Sequence, residues 1–81
     1  MPYIRKSRRT ELALGCASLT VGELNYRITK QILGFLGARP LENYDTYNEV
    51  VGVLECVKLE MYRRRIARYE DKKKKENGDV Y

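Results

Sequence analysis

Residues 51–65 read VGVLECVKLEMYRRR. With Tyr47 and Val50 upstream, Val51, Leu54, Val57, Met61 and Tyr62 recur at the spacing of one helical face. Lys58 falls near the middle of that face, between Val51, Leu54 and Met61. At about 100° per residue, Arg65 lands close to the same line two turns on. A helix that carries cations on its apolar side needs a physical reason for them.

Outward from this stretch, Asn43 or Asp45 can cap the helix start. The apolar spacing continues to Ile66 and Tyr69, which predicts a helix over 44–69, roughly 35–40 Å long. Residues 70–81 then form a charged tail, with Asn77-Gly78 as a turn former. Gly52 lies on the opposite face and only weakens the helix slightly.

Upstream, Thr20 with Glu23 three residues later makes a capping box. Leu24, Ile28, Ile32 and Phe35 follow as a stripe with Leu36 beside it, predicting a helix over 20–37. Gly37 is placed for a C-terminal cap, and Pro40 prevents continuation. Residues 1–19 form a basic N-terminal segment. There Arg9, Leu12, Ala13 and Cys16 share one face of a short helix that Gly15 weakens.

Nothing repeats, alternates like a strand or reads as an interdomain linker. The expected fold is all-α: a single domain over 1–81 of two or three helices. An antiparallel helical hairpin with an N-terminal helix or arm fits that pattern.

A chain of 81 residues hides only ~60% of its unfolded surface on folding. A core this small rarely yields more than about 3–5 kcal/mol. Two cysteines, Cys16 and Cys56, do not make a disulfide scaffold, and with no histidine and no CxxC the common zinc sites are excluded. No cofactor is expected. The reinforcement left is self-association, so a homo-oligomer is expected. No run approaches a membrane span. The basic start lacks a signal-like apolar stretch, so a soluble, cytoplasmic protein with no membrane partner is expected.

The net charge of +5 is unevenly spread. Residues 1–10 carry Arg5, Lys6, Arg8 and Arg9 with no acid. Residues 11–57 carry three cations against six acids, and residues 58–81 carry nine against five. Basic ends around an acidic middle suit an anionic partner or pairing between copies. The run Lys72–Lys75 follows Glu70 and Asp71 and has no interleaved aromatics, so nucleic acid is the weaker choice of partner. In the triple arginine, Arg64 pairs with Glu60 one turn back, Arg63 points to the solvent side, and Arg65 alone shares the inner face.

Lys58 and Arg65 have polar company. Asn48, Glu55, Tyr62 and Tyr69 form a row at seven-residue spacing along the edge of the apolar arc. Asn25 and Thr29 fall inside the arc of the preceding helix, with Tyr26 nearby. The structural reading is that Glu55 neutralises Lys58, the lysine stem covers apolar surface, and the amides specify helix alignment. The functional reading is a pocket between helices or subunits. Lys58 and Arg65 would meet anionic oxygens, Tyr62, Tyr69 or Tyr26 would stack on a ring, and Asn25, Asn48, Thr29 and Glu55 would supply directional hydrogen bonds. That mix suits a nucleotide. Catalysis lacks support: there is no histidine, no nucleophile beside a base and no phosphate-binding glycine loop.

The segments MPYI at 1–4, GELNYRIT at 22–29, NEVVGVLECVKLEMYRR at 48–64 and YEDKKKKENGDVY at 69–81 resemble a family of small proteins from tailed bacteriophages and prophages. The pattern is MPYI…GELNYxIT…NEVVGVLECVKLExYRR…YEDKKxxENGDVY, and it covers most of the chain outside about residues 10–20 and 37–43. Relatives often carry proline where this chain has Arg68, so a helix reaching Tyr69 is more secure here. The resemblance implies the host bacterial cytoplasm as the setting, and names no activity. Some compact phage homo-oligomers capture the nucleotide signals of bacterial immunity. This chain is similar to them in size, helical character and basic pocket candidates, a likeness of type without a shared motif. The leading expectation is therefore a non-enzymatic sponge for a cyclic nucleotide or an ADP-ribose-type signal. The alternative is an interaction protein that binds a host or phage protein, or nucleic acid, through its basic ends.

Overall fold

The computed structural model describes residues 2–81; Met1, the first residue of the N-terminal segment, lies outside them. The described residues form three helices and no strand, the third helix being interrupted by a wider turn. The chain divides into two compact units, one ending at Glu42 and one spanning Asn43–Tyr81. The boundary falls in the connection after Pro40, where the sequence breaks between its two long helices.

The first unit holds α1, Lys6–Ala13, and α2, Val21–Gly37. Gly15 stops α1. Its φ of 99° lies in the region that disfavours any Cβ. The turn lets the Cys16 N–H donate to the Glu11 carbonyl and the Gly15 N–H donate to the Leu12 carbonyl, each at 3.1 Å. This is the Schellman pairing that closes a helix end. Cys16 therefore leaves the face that the sequence spacing assigned to it. Leu12, on the last full turn, is buried.

Thr20 caps α2 by accepting the Glu23 N–H at 3.1 Å. The Glu23 side chain reaches back past the cap. Its Oε1 accepts the Leu19 N–H at 3.0 Å, one residue further back. At the other end Gly37 remains inside the helix instead of capping it in the left-handed region. The Ala38 N–H still reaches the Gly34 carbonyl at 3.2 Å, and the Arg39 N–H reaches Leu36 at 3.1 Å. Pro40, three residues after Gly37, then supplies the stop that a glycine cap would have given. Leu36 is the second buried apolar residue of this unit.

The second unit is one long helix in three parts. Asn43 caps α3, Tyr44–Met61: its side chain accepts the Thr46 N–H at 3.1 Å, while Thr46 Oγ1 accepts the Asn43 N–H at 3.0 Å. Asp45 in the first turn complements the helix dipole. A π-turn, Tyr62–Ile66, follows without a break in right-handed helical backbone, and α4 runs over Ala67–Asn77. Gly78, at φ 89°, ends it by donating its N–H to the Lys74 carbonyl at 2.8 Å.

The helix thus passes Tyr69 and takes in most of the stretch read as a tail. Apolar spacing marks where a helix has something to pack on, and it fades at Tyr69. Nothing between Tyr69 and Gly78 breaks a helix, and lysine and glutamate favour one. Lys73 and Glu76 add an i,i+3 pair at 3.4 Å. No residue of α3, the π-turn or α4 is buried.

Candidate functional site

The π-turn sets the geometry of the cationic region. A π-turn closes on i→i+5 bonds, so it takes up one residue more than an α-helical turn. Every side chain beyond it is displaced by one position relative to a continuous α-helix. The line Leu54, Lys58, Met61 would continue through Arg65 and Arg68 in an α-helix. With the extra residue it continues through Ile66 and Tyr69. Arg65, expected on the line of Lys58, is rotated off it.

The polar row is re-sorted the same way. Asn48 and Glu55 of α3 and Tyr62 at the start of the π-turn keep their seven-residue spacing, but the next place in the row passes from Tyr69 to Glu70. A contact records this: the Tyr62 hydroxyl donates to the Glu70 carboxylate, 3.3 Å from each oxygen, across eight residues. The negative charge of Glu70, and then the hydrogen bond to it, push the Tyr62 phenol above its ordinary pKa.

Lys58 sits 3.3 Å from the Glu55 carboxylate, and its side chain is 70% exposed. Glu60 takes two of the three consecutive arginines. Arg63 Nη2 donates to both of its oxygens at 2.9 Å, and Arg64 Nε donates to one of them. Arg65 makes no ion pair among the described residues. It lines an open depression of about 550 Å³ with Cys56, Val57, Glu60, Met61 and Arg64. Asn48 is exposed on α3, and Tyr69 lies under Lys73, whose ammonium is 5.6 Å from the ring centre. Lys74 approaches Asp79 at 3.9 Å.

The other three predicted site residues belong to the first unit. The Thr29 hydroxyl donates to Asn25 Oδ1 at 3.1 Å, so these two satisfy one another along α2. Tyr26 has the Arg9 guanidinium 5.5 Å from its ring centre. Tyr26 also lines an open depression of about 560 Å³ with Leu12, Leu24, Ile28, Arg27 and Lys30. Apolar side chains, one aromatic ring and two cations line it together. Arg27 and Lys30 were not singled out by the sequence pattern because they lie outside the apolar arc. Their spacing around Tyr26 is the signal that could have found them.

The most developed polar cluster was also missed. Arg8, from the basic N-terminal segment, gives its Nε to Glu23 at 2.9 Å, Nη1 to Glu11 at 2.7 Å and Nη2 to the Ala17 carbonyl at 2.7 Å. Its side chain is 19% exposed and that of Glu23 is 12% exposed. Its hydrogen bonds to Glu23 and then to Glu11 hold the guanidinium proton more tightly than usual. Arg8, and then the Leu19 N–H, hold the Glu23 carboxyl below the usual carboxylate range. This cluster ties α1 to the start of α2. Arg8 is therefore spent inside the unit, and the basic N-terminal segment offers one cation fewer to a partner. Its partners lie three and fifteen residues away, and only the nearer spacing is one a helix rule can anticipate.

Both cysteines are free and exposed. Among the described residues no group of acidic, cysteine or histidine side chains is arranged to hold a metal ion. No helix among them is long and apolar enough to cross a membrane. No curated protein and no solved structure matches the chain. One family does, and it spans residues 1–80: the chain belongs to the family described as Domain of unknown function (DUF6899).

Proposed function

We propose that this protein is a non-enzymatic helical homo-oligomer of tailed-phage type that binds and sequesters a small anionic nucleotide, of the cyclic nucleotide or ADP-ribose class. The observation that carries the reading is the depression on the first unit lined by Tyr26, Arg27 and Lys30 together with Leu12, Leu24 and Ile28. A base can stack on the tyrosine while phosphate oxygens meet the two cations, and its volume is in the range of small-molecule sites. Arg64 and Arg65 line a separate depression on the long helix, and Lys58 stays with Glu55.

Calorimetry against a panel of cyclic oligonucleotides and ADP-ribose derivatives tests this. Binding at micromolar concentration is expected, with Tyr26→Ala and Lys30→Ala each weakening it while far-UV circular dichroism stays unchanged. No binding below millimolar concentration would end the proposal. Recovery of the ligand chemically unchanged separates sequestration from catalysis.

One observation favours a second reading, an interaction protein working through a basic end. The lysine run is held on an exposed helix, and Lys72 and Lys75 pair with nothing among the described residues. If nucleic acid were the partner, affinity would fall steeply with salt as counterions are released. A gel shift that shows no retention of mixed DNA or RNA at low salt would remove that branch.

A further inference from the structure

We infer that the long helix is a dimerisation element that pairs with a second copy of itself, antiparallel, about a two-fold axis beside Cys56. The inference rests only on the homo-oligomer part of the proposed function; the nucleotide is not needed.

The argument starts from the row Val51, Leu54, Lys58, Met61, which has the alternating three- and four-residue spacing of a coiled-coil seam. All four side chains are exposed in the single chain. Continued as an α-helix, the seam would reach Arg65 and Arg68. The π-turn inserts one residue, and Ile66 and Tyr69 take those places. The Tyr62–Glu70 bond, eight residues apart, records the same one-residue offset on the neighbouring row. The π-turn therefore keeps the seam apolar past a run of three arginines. Lys58 is then the single charged residue on it between Val51 and Tyr69, and one such residue is a recurrent device for fixing register at some cost in stability.

Charge decides the orientation. From Asn43 to Val57 the helix carries Asp45, Glu49 and Glu55 and no cation; from Lys58 to Asn77 it carries nine cations against four acids. A parallel pair would lay basic half on basic half and set Lys58 against Lys58. An antiparallel pair lays acidic half on basic half. With the two-fold beside Cys56, Val51 meets Met61 of the second copy, and Leu54 meets its Lys58. Lys58 then lies one residue from the second copy's Glu55, so it exchanges its exposed intrachain pair for one across the interface. Each contact occurs twice, as a two-fold interface requires. Tyr47 and Ile66 form the outer layers.

Equilibrium sedimentation of the full chain at micromolar concentration, without any nucleotide, is the first measurement. A dimer is expected, and a monomer overturns the inference even if nucleotide binds. Leu54→Glu should weaken the dimer by a hundredfold or more, about the effect of placing a charge in an apolar layer. If Leu54→Glu loses helicity, charge exchange replaces it. Lys58→Glu and Glu55→Lys should each weaken the dimer, and the double variant should restore it; no recovery overturns the seam.

Orientation is read by crosslinking with Cys16 and Cys56 replaced by serine. A mixture of Val51→Cys and Met61→Cys chains should oxidise to the mixed disulfide. Self-pairing of Val51→Cys chains overturns the antiparallel register. A dimer that binds no nucleotide would remove the proposed function and leave this interface standing.

Discussion

Tyr62 and Glu70 face one another across eight residues of a single helix, with the phenolic hydroxyl 3.3 Å from each carboxylate oxygen. In an uninterrupted α-helix the facing residue would be Tyr69, seven on. The pair is therefore a local readout of the π-turn between them. It also has a titration signature. Tyr62 is raised above the ordinary tyrosine value, first by the charge of Glu70 and then by the hydrogen bond to it. Such a group stabilises the fold fully below the ordinary tyrosine pKa and loses that contribution as pH rises through its own. Ultraviolet titration of the seven tyrosines should show a late-ionising component. Tyr62→Phe should remove it, and Glu70→Gln should move it back toward the ordinary value. A curve unchanged by Glu70→Gln would mean that the pair does not form.

Shortening the triple arginine by one residue should be tolerated. Deleting Arg64 leaves an uninterrupted α-helix in which the present Ile66 stands four places after Met61, where the π-turn already puts it. Helicity by circular dichroism should be equal or higher, and the melting temperature should not fall. A marked loss of helicity would show that the π-turn does not act as a one-residue insertion.

Arg8 and Glu23 predict an acid-sensitive first unit. Glu23 is lowered, chiefly by Arg8, so its contribution is fully present above the ordinary carboxylate pKa of about 4.5. It is lost as pH falls through the lowered value. Arg8, already charged at every pH in use, is raised and adds nothing to the titration. Protection of the α1 amides, taken relative to intrinsic exchange at each pH, should fall on acidification below that range. In Glu23→Gln the same amides should be less protected near neutrality, and their protection should no longer change across that range. Exchange indifferent to Glu23→Gln would mean that the cluster does not hold α1.

Two glycines that look alike in sequence should respond oppositely to alanine. Gly15 stands at φ 99°, so Gly15→Ala should cost about 1–2 kcal/mol. Gly37 is helical and an added Cβ would meet nothing, so Gly37→Ala should be neutral or stabilise by up to about 1 kcal/mol. Chemical denaturation of the two variants measures both, and the difference in sign is the test.

The cap of the long helix gives a third stability measurement. Asn43→Ala removes the acceptor of the Thr46 N–H and should cost about 1 kcal/mol. Asp45→Ala should cost less, since Asp45 contributes only through the helix dipole. Equal losses would mean that the cap is shared.

By itself the sequence determined the helices, because capping pairs, apolar spacing and proline act within a few residues of one another. Thr20, Asn43 and Pro40 act where local rules place them, and the two long helices begin where those residues say. The same rules reached the Glu55–Lys58 and Glu60–Arg64 pairs, which are one turn apart. Gly15 and Gly37 marked the limit of that reading: which of them leaves right-handed backbone depends on the whole turn that follows, not on the residue. Only the three-dimensional structure decided three things. It placed Arg8 against Glu23, partners fifteen residues apart on different helices, for which no periodicity exists. It carried the helix through Lys72–Lys75, where apolar spacing is silent because nothing packs there. And it inserted the π-turn, which sequence periodicity cannot show because every angular argument assumes one constant rotation per residue. Once that rotation changes over five residues, Arg65 leaves the line of Lys58, and Ile66, Tyr69 and Glu70 take places that seven-residue counting gave to others.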